Sequence, residues 1–269
     1  MRGRSDISQQ NFCFKRLNRG TFILQLQSEK KISEKKYSEG IEISRTSKDF
    51  LLDIASSCDR GRALDIGCGT GINASKLDSL GFKVSGVDLS ETAIKKFKEQ
   101  GYDGLVYDVS SDIPFDDNTF ELVFVSEVIE HLDDVSSFLI EIKRVLKPQG
   151  CLVLSTPNSV FWAYRLLTLL GKSPSEVQHP GHLRFFSPRL LKKLLKESGL
   201  SEIEMSARNM YFIVGEALPA FLIRFLQIIP FFQQETRFLT KNIFFHISKK
   251  SKNVSAFWSD TILVKAYKK

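Results

Sequence analysis

The chain is predicted to fold as an α/β protein built on a parallel, doubly wound sheet, and three observations carry that expectation. Apolar runs of strand length alternate with helix-period stretches from residue 62 to residue 155, an order that yields parallel strands with helices on both faces. The first run, Arg62-Ala63-Leu64-Asp65-Ile66, stops in Gly67-Cys68-Gly69-Thr70-Gly71 and opens into a helix read from Ile72 to Leu80. The next two apolar runs each end in an acid, Asp88 and Asp108.

The glycine loop is the element around which the others are placed. Glycines two apart let the backbone turn sharply and approach a ligand where a Cβ would collide. A loop that feeds a helix N-terminus at the end of a central strand is the architecture of a nucleotide site. Two common versions are excluded. The dinucleotide fingerprint needs glycine at position 72, which is Ile72, and the Lys-Ser/Thr of a P-loop is missing. Asp65 just ahead of the loop suits a cationic ligand better than a pyrophosphate.

Further along, Lys83-Val84-Ser85-Gly86-Val87-Asp88 reads as a second strand whose terminal acid lies 17 residues beyond Gly71. A carboxylate there can accept both ribose hydroxyls of an adenosine. A helix over Glu91–Gln100 closed by Gly101, a short strand over Leu105–Asp108 and a turn through Pro114 follow. Glu121–Ser126 is an apolar strand, Asp133–Leu146 an amphipathic helix ended by Pro148 and Gly150, and Cys151–Ser155 the fifth strand. Upstream, Lys35–Ser57 reads as helical, with Phe50, Leu51, Ile54 and Ala55 on one stripe. Downstream, Ser187–Ser198 reads as a helix, and Ile203–Phe212 and Thr261–Ala266 as strands.

Composition sets the outer bounds. With 42% hydrophobic and 26% charged residues, the chain has an ordinary globular balance. Its four cysteines, Cys13, Cys58, Cys68 and Cys151, show no C-x-x-C pair, which fits a reducing compartment, not a disulfide framework or a zinc site. No signal peptide or membrane span is expected. The net charge of +7 is concentrated at the end, where seven lysines between Lys241 and Lys269 face only Asp260.

The pattern Asp65-x-Gly67-x-Gly69-x-Gly71 resembles the first motif of the class I S-adenosylmethionine (SAM) methyltransferases. Arg144-Val145-Leu146-Lys147-Pro148-Gln149-Gly150 ahead of an apolar strand is similar to the same family. The resemblance covers about residues 40 to 210. It implies a Rossmann-like seven-stranded sheet with an antiparallel last strand at Thr261–Ala266, and a helix before the first strand that helps close the cofactor site. It also implies SAM held by Asp65, Gly67, Cys68, Gly69, Gly71, Asp88, Leu89, Asp108, Val109 and Ser126, with Asp108 meeting the adenine amino group beside the Val109 N–H. Residues 1–35 are expected to be a poorly ordered extension and 36–269 the methyltransferase domain. An insertion at about 211–255, read as a helical lid, interrupts that domain on the ligand side.

Methyl transfer from a sulfonium asks mainly for positioning, but a hydroxyl acceptor also needs a base or a metal. Ser126-Glu127-Val128-Ile129-Glu130-His131 follows the fourth strand, where the acceptor should lie. If a helix starts there, Glu127, Glu130 and His131 share one face and could hold a divalent cation such as Mg2+ together with His179 or His182 from His179-Pro180-Gly181-His182. The spacing resembles the quinone-pathway O-methyltransferases and the small-RNA 3′-terminal 2′-O-methyltransferases. Without metal, His131 acts as the base, with Glu127 beside it. The expected function is therefore SAM-dependent O-methylation of a small-molecule, glycan or lipid-linked acceptor by a cytoplasmic enzyme. An RNA 3′-terminal ribose methyltransferase and a non-catalytic SAM-binding scaffold are the alternatives. The run Ala217–Phe232 with the lysines up to 252 suggests peripheral contact at the inner membrane face, against packing as ordinary core.

Overall fold

The computed structural model describes residues 30, 31, 34, 37, 47–173, 176, 181–208, 210–214, 236–239, 242–247 and 259–269. One seven-stranded sheet runs through them. Its strands are β1 (Arg62–Ile66), β2 (Lys83–Asp88), β3 (Asp103–Val106), β4 (Phe120–Ser126), β5 (Leu146–Pro157), β6 (Leu200–Arg208) and β10 (Thr261–Lys268). Their order is β3-β2-β1-β4-β5-β10-β6. β1 pairs parallel with both β2 and β4, and β4 with β5, while β10 inserts antiparallel between β5 and β6. This is the expected sheet with its reversed last strand.

Residues on successive positions of the central strands enter two different cores, as a pleat dictates. Ala63, Leu122 and Phe124 pack with α1 (Ser47–Ala55), α2 (Ile72–Ser79) and α3 (Glu91–Glu99) through Leu51, Leu77 and Phe97. Leu64, Ile66, Val123 and Val125 pack instead with α4 (Val135–Val145) and α6 (Pro188–Glu197) through Phe138, Ile142, Leu191 and Leu195. Both faces are therefore covered, and the β5 segment Cys151–Thr156 is buried throughout. Truncating a fully buried side chain here, Phe124→Ala for example, would cost about 3–5 kcal/mol.

The chain order fixes where the ligand side lies. Strand order reverses between β1 and β4, and the crevice outside their carboxyl ends is where open α/β sheets bind ligands. Several elements differ from the sequence reading. β3 ends at Val106, so Asp108 sits two residues past the strand. α4 stops at Val145 because the backbone turns extended at Leu146, and β5 begins there, irregular in register until Cys151. An unforeseen helix, α5 (Trp162–Leu169), follows β5. The strand expected over Ile203–Phe212 is two strands in two sheets. β6 closes the main sheet, and β7 (Met210–Val214) joins β9 (Asn242–Ile247) and β8 (Thr236–Leu239) in a separate antiparallel sheet.

Where the expected lid-like insertion is described it is strand, not helix. The apolar run 217–232 and all four lysines from Lys241 to Lys252 lie outside the described residues. Among the described residues no helix is long and apolar enough to cross a membrane. Most of the expected N-terminal extension also lies outside them, but Lys30, Lys31, Glu34 and Tyr37 occupy helical positions. Lys30 Nζ meets Glu91 Oε1 at 2.8 Å, and Glu34 accepts the N–H groups of Glu91 and Thr92 at the start of α3. Burial works against ionising Glu34, yet the hydrogen bonds from Thr92, Glu91 and Ser90 hold its carboxyl below the usual range.

Candidate functional site

The glycine loop has the backbone its composition demands. Gly67, Gly69 and Gly71 all have left-handed φ values, 71°, 54° and 100°, which cost a Cβ-bearing residue about 1–2 kcal/mol each. The loop is pinned from below: Gly67 N donates to Val87 O at 2.8 Å, and Gly71 caps α2. A Cβ on Gly69 would lie 2.6 Å from the Tyr37 hydroxyl, so the N-terminal helical segment reaches this loop. Asp65 is fully buried in β1 between Gly86 and Phe124.

The predicted cofactor residues lie at or just past the carboxyl ends of β1, β2, β3 and β4. Asp88, at the end of β2, accepts the Gly69 N–H through Oδ2 and the Ser90 N–H through Oδ1, both at 2.9 Å. Asp108 accepts the Ser110 N–H at 2.9 Å and the Ser110 hydroxyl at 2.5 Å through Oδ1. Leu89 is half-buried, Val109 buried, and Ser126, at the β4 end, accepts the Ser155 hydroxyl at 3.5 Å. Cys68 is buried, and that burial, with Asp65 and Asp88 nearby, pushes its thiol far up. It is a neutral packing group in the loop.

The acceptor side is built differently. No helix starts at Glu127: its backbone is left-handed, φ 57°, with its N–H on Ser155 O at 3.2 Å. A 3₁₀ turn over Ile129–His131 follows. Glu127 therefore does not share a helical face with Glu130 and His131, and the i, i+3, i+4 expectation is corrected. Left-handed backbone on a residue with a Cβ is sparsely populated and persists where its surroundings over-determine it.

Glu130 and His131 meet the 181–184 segment instead. Glu130 O accepts Leu183 N at 2.8 Å and Arg184 N at 3.0 Å, and His131 Nδ1 lies 2.9 Å from Gly181 O. The His131 and His182 rings meet edge to face, 4.9 Å between centroids. Phe186, buried, anchors the segment through a bridge to Asn158, and Ser159 N donates to Phe186 O at 2.9 Å. Arg184 holds Asp133 from the other end. Glu130 is buried, and its Oε2 accepts the Thr156 hydroxyl at 3.0 Å.

Ligand atoms of Glu130, His131 and His182 all lie within 4.8 Å of one another. Glu127 is not in that group, and His179 lies outside the described residues. Thr156 and Asn158, which support this side from β5, carry no sequence signal. Asn158 is fully buried and ties β5 to the start of β10, its Nδ2 donating to Ser259 O at 2.6 Å.

Known proteins share this architecture. A family profile described as a methyltransferase domain matches residues 40–204. Over 159 residues the chain is 30% identical to the ubiquinone biosynthesis O-methyltransferase of Thiobacillus denitrificans, covering 54% of this chain and 66% of that protein. The human mitochondrial counterpart is 31% identical over 152 residues, 52% of this chain and 41% of its own length. A ubiquinone/menaquinone biosynthesis C-methyltransferase of Desulfotalea psychrophila is 40% identical over 114 residues, 40% of this chain and 46% of that protein. The matches thus span roughly two-fifths to two-thirds of these relatives. Among solved structures, a SAM-dependent methyltransferase of Thermotoga maritima superposes with a TM-score of 0.58 at 20% identity, covering 87% of this chain and 96% of that one; at that identity the likeness is one of fold.

Proposed function

The chain belongs to the class I SAM-dependent methyltransferases, and from that premise we propose that it methylates a hydroxyl of a small aromatic acceptor with His131 as the base. When bound, SAM supplies an electrophilic methyl group on a sulfonium. The residues around the glycine loop suit such a ligand. The left-handed glycines keep side chains off the loop surface, and Asp88 at the end of β2 and Asp108 just past β3 carry carboxylates on neighbouring connections. Both Asp88 oxygens accept backbone N–H groups, from Gly69 and Ser90, which orient the carboxylate beside the glycine loop.

The observation that carries the proposal is the contact between His131 Nδ1 and the Gly181 carbonyl. A carbonyl oxygen only accepts, so Nδ1 carries the proton and the lone pair of the neutral ring is on Nε2. His131 therefore takes the acceptor's hydroxyl proton at Nε2, and the resulting oxygen is the nucleophile. The paired N–H contacts on Glu130 O hold the turn and the 181–184 segment as one unit, which fixes the ring. O-methylation of a small molecule is supported by the O-methyltransferases among the quinone-pathway relatives.

A second reading draws on the Glu130, His131 and His182 group. Two imidazoles and one carboxylate suit zinc, manganese or iron; magnesium prefers an all-oxygen shell, and nothing in this donor set favours it. In that reading Nε2 of His131 binds metal and does not act as the base. Transfer of labelled methyl to a panel of catechols and hydroxyquinones tests both. Loss of turnover by about 10²–10⁴-fold in His131→Ala, with full turnover in chelator, supports the base. Loss in chelator restored by zinc or manganese supports the metal, and a His131→Ala enzyme at full rate defeats both.

A further inference from the structure

The two halves of the site leave one reactive pair unused. Cys58 and Cys151 are 93 positions apart, both buried, with their sulfurs 2.7 Å from each other. They are free thiols on the helical face opposite α4 and α6. Cys151 lies in the buried stretch of β5, in register with Leu122 of β4 and Tyr267 of β10. Cys58 follows α1, its N–H on Ala55 O at 3.0 Å. We propose that Cys58 and Cys151 are an oxidisable dithiol, and that their disulfide locks the end of α1 onto the centre of the sheet.

The surroundings divide the labour between the sulfurs. Lys265 Nζ reaches the Ser57 hydroxyl at 2.8 Å, beside Cys58, and Arg60 bonds the Cys58 carbonyl. Contact with Cys151, then the charges of Lys265 and Arg60, bring the Cys58 thiol below its ordinary range against the effect of burial. Contact with Cys58 and burial keep Cys151 protonated. Cys58 is accordingly the attacking thiolate. Its neighbours Asp59 and Arg60 are exposed, so loosening of residues 56–60 admits a small oxidant.

With a peroxide as oxidant the step balances. The Cys58 thiolate attacks one peroxide oxygen, the O–O bond breaks, and with a proton one water leaves and Cys58 becomes a sulfenic acid. The Cys151 sulfur then displaces that hydroxyl and gives up its proton, a second water leaves, and the S–S bond forms. Two thiols are oxidised and one peroxide is reduced. From 2.7 Å, closing to a bond of about 2.05 Å asks the sulfurs to move well under 1 Å. The ring so closed contains β1 to β4 with the whole glycine loop. A cross-link over so long a segment restricts the unfolded chain strongly.

The test uses the full chain. Purified protein is treated with one equivalent of hydrogen peroxide, its remaining thiols are alkylated, and it is mapped by mass spectrometry, with and without dithiothreitol. The expected result is a Cys58–Cys151 linked peptide pair short of two hydrogens, reversed by reductant, and a thermal midpoint about 5–15 °C higher when oxidised. In Cys151→Ser the cross-link is lost and Cys58 is trapped by a sulfenic-acid reagent. If that variant fails to fold, the wild-type comparison alone decides. Linkage through Cys13 or Cys68, no linkage, or an unchanged midpoint in the linked form would overturn the proposal.

Discussion

The cofactor half and the acceptor half of this site are built on opposite plans. Asp65 lies in β1, the three glycines follow it, Asp88 closes β2 and Asp108 stands two residues past β3. Glu130, His131, Thr156, Gly181 and His182 come from three segments up to 52 positions apart, joined by backbone hydrogen bonds between the 129–131 turn and residues 181–184. The first half is fixed by local geometry and the second by long-range contacts. The strand-loop-helix unit is set by local geometry, whereas His131, the proposed base, is only as well placed as the segment that grips it.

Substitutions that act on one half only would sharpen that contrast. Asp88→Ala has the largest expected effect on ligand affinity. It removes an acceptor for two backbone N–H groups and, in the proposed binding mode, for the ribose, and hydrogen bonds to a charged group are worth about 1.5–3 kcal/mol each. Affinity for S-adenosylhomocysteine, the demethylated product, should fall about 100-fold by calorimetry; a loss under about threefold would mean the ribose is held elsewhere. Gly69→Ala should cost about tenfold in the same titration, since the left-handed backbone disfavours alanine by about 1–2 kcal/mol and its Cβ meets the Tyr37 hydroxyl at 2.6 Å. Tyr37→Phe combined with Gly69→Ala should not recover the loss if backbone strain dominates.

The smallest effect concerns the connection after Asp108. Arg144 bonds Glu141, Asp117 and the carbonyls of Ile113 and Phe115, and Glu141 accepts the Ile113 N–H at 3.0 Å. The Arg144 hydrogen bond, opposed by burial and aided by Ile113, holds the Glu141 carboxyl below its usual range. A lowered folded pKa means that the contribution is complete above the unfolded value of about 4.3 and disappears as pH falls through the folded one. Glu141→Gln should therefore cost about 1–2 kcal/mol near pH 7 in denaturant unfolding, and the gap to wild type should close in acid. A gap that stays constant down to acid unfolding would assign the loss to packing.

This division also explains what could be read from the chain. The strand–helix alternation from 62 to 155 and the acid closing β2 are local patterns, and the reversed last strand is what the family resemblance implies. The acceptor side could not be read in the same way. Glu127, Glu130 and His131 have helical spacing, but the backbone at Glu127 turns left-handed where its N–H pairs with Ser155, a choice made by β5 and not by the local sequence. The partnership of His131 with Gly181 spans 50 positions, and the sulfurs of Cys58 and Cys151 meet across 93; neither has a local signature. The strand character of the described part of 211–255 was hidden for a related reason: pairing of β7 with β9 crosses the insertion, while its apolar run suggested helices.

The separation of the two halves is tested most directly by calorimetric titration of S-adenosylhomocysteine into His131→Ala beside Asp88→Ala. If the cofactor half is self-sufficient, His131→Ala binds within about twofold of wild type while turnover collapses, and Asp88→Ala loses about 100-fold in affinity. A His131→Ala protein that loses product binding as severely as Asp88→Ala would contradict it.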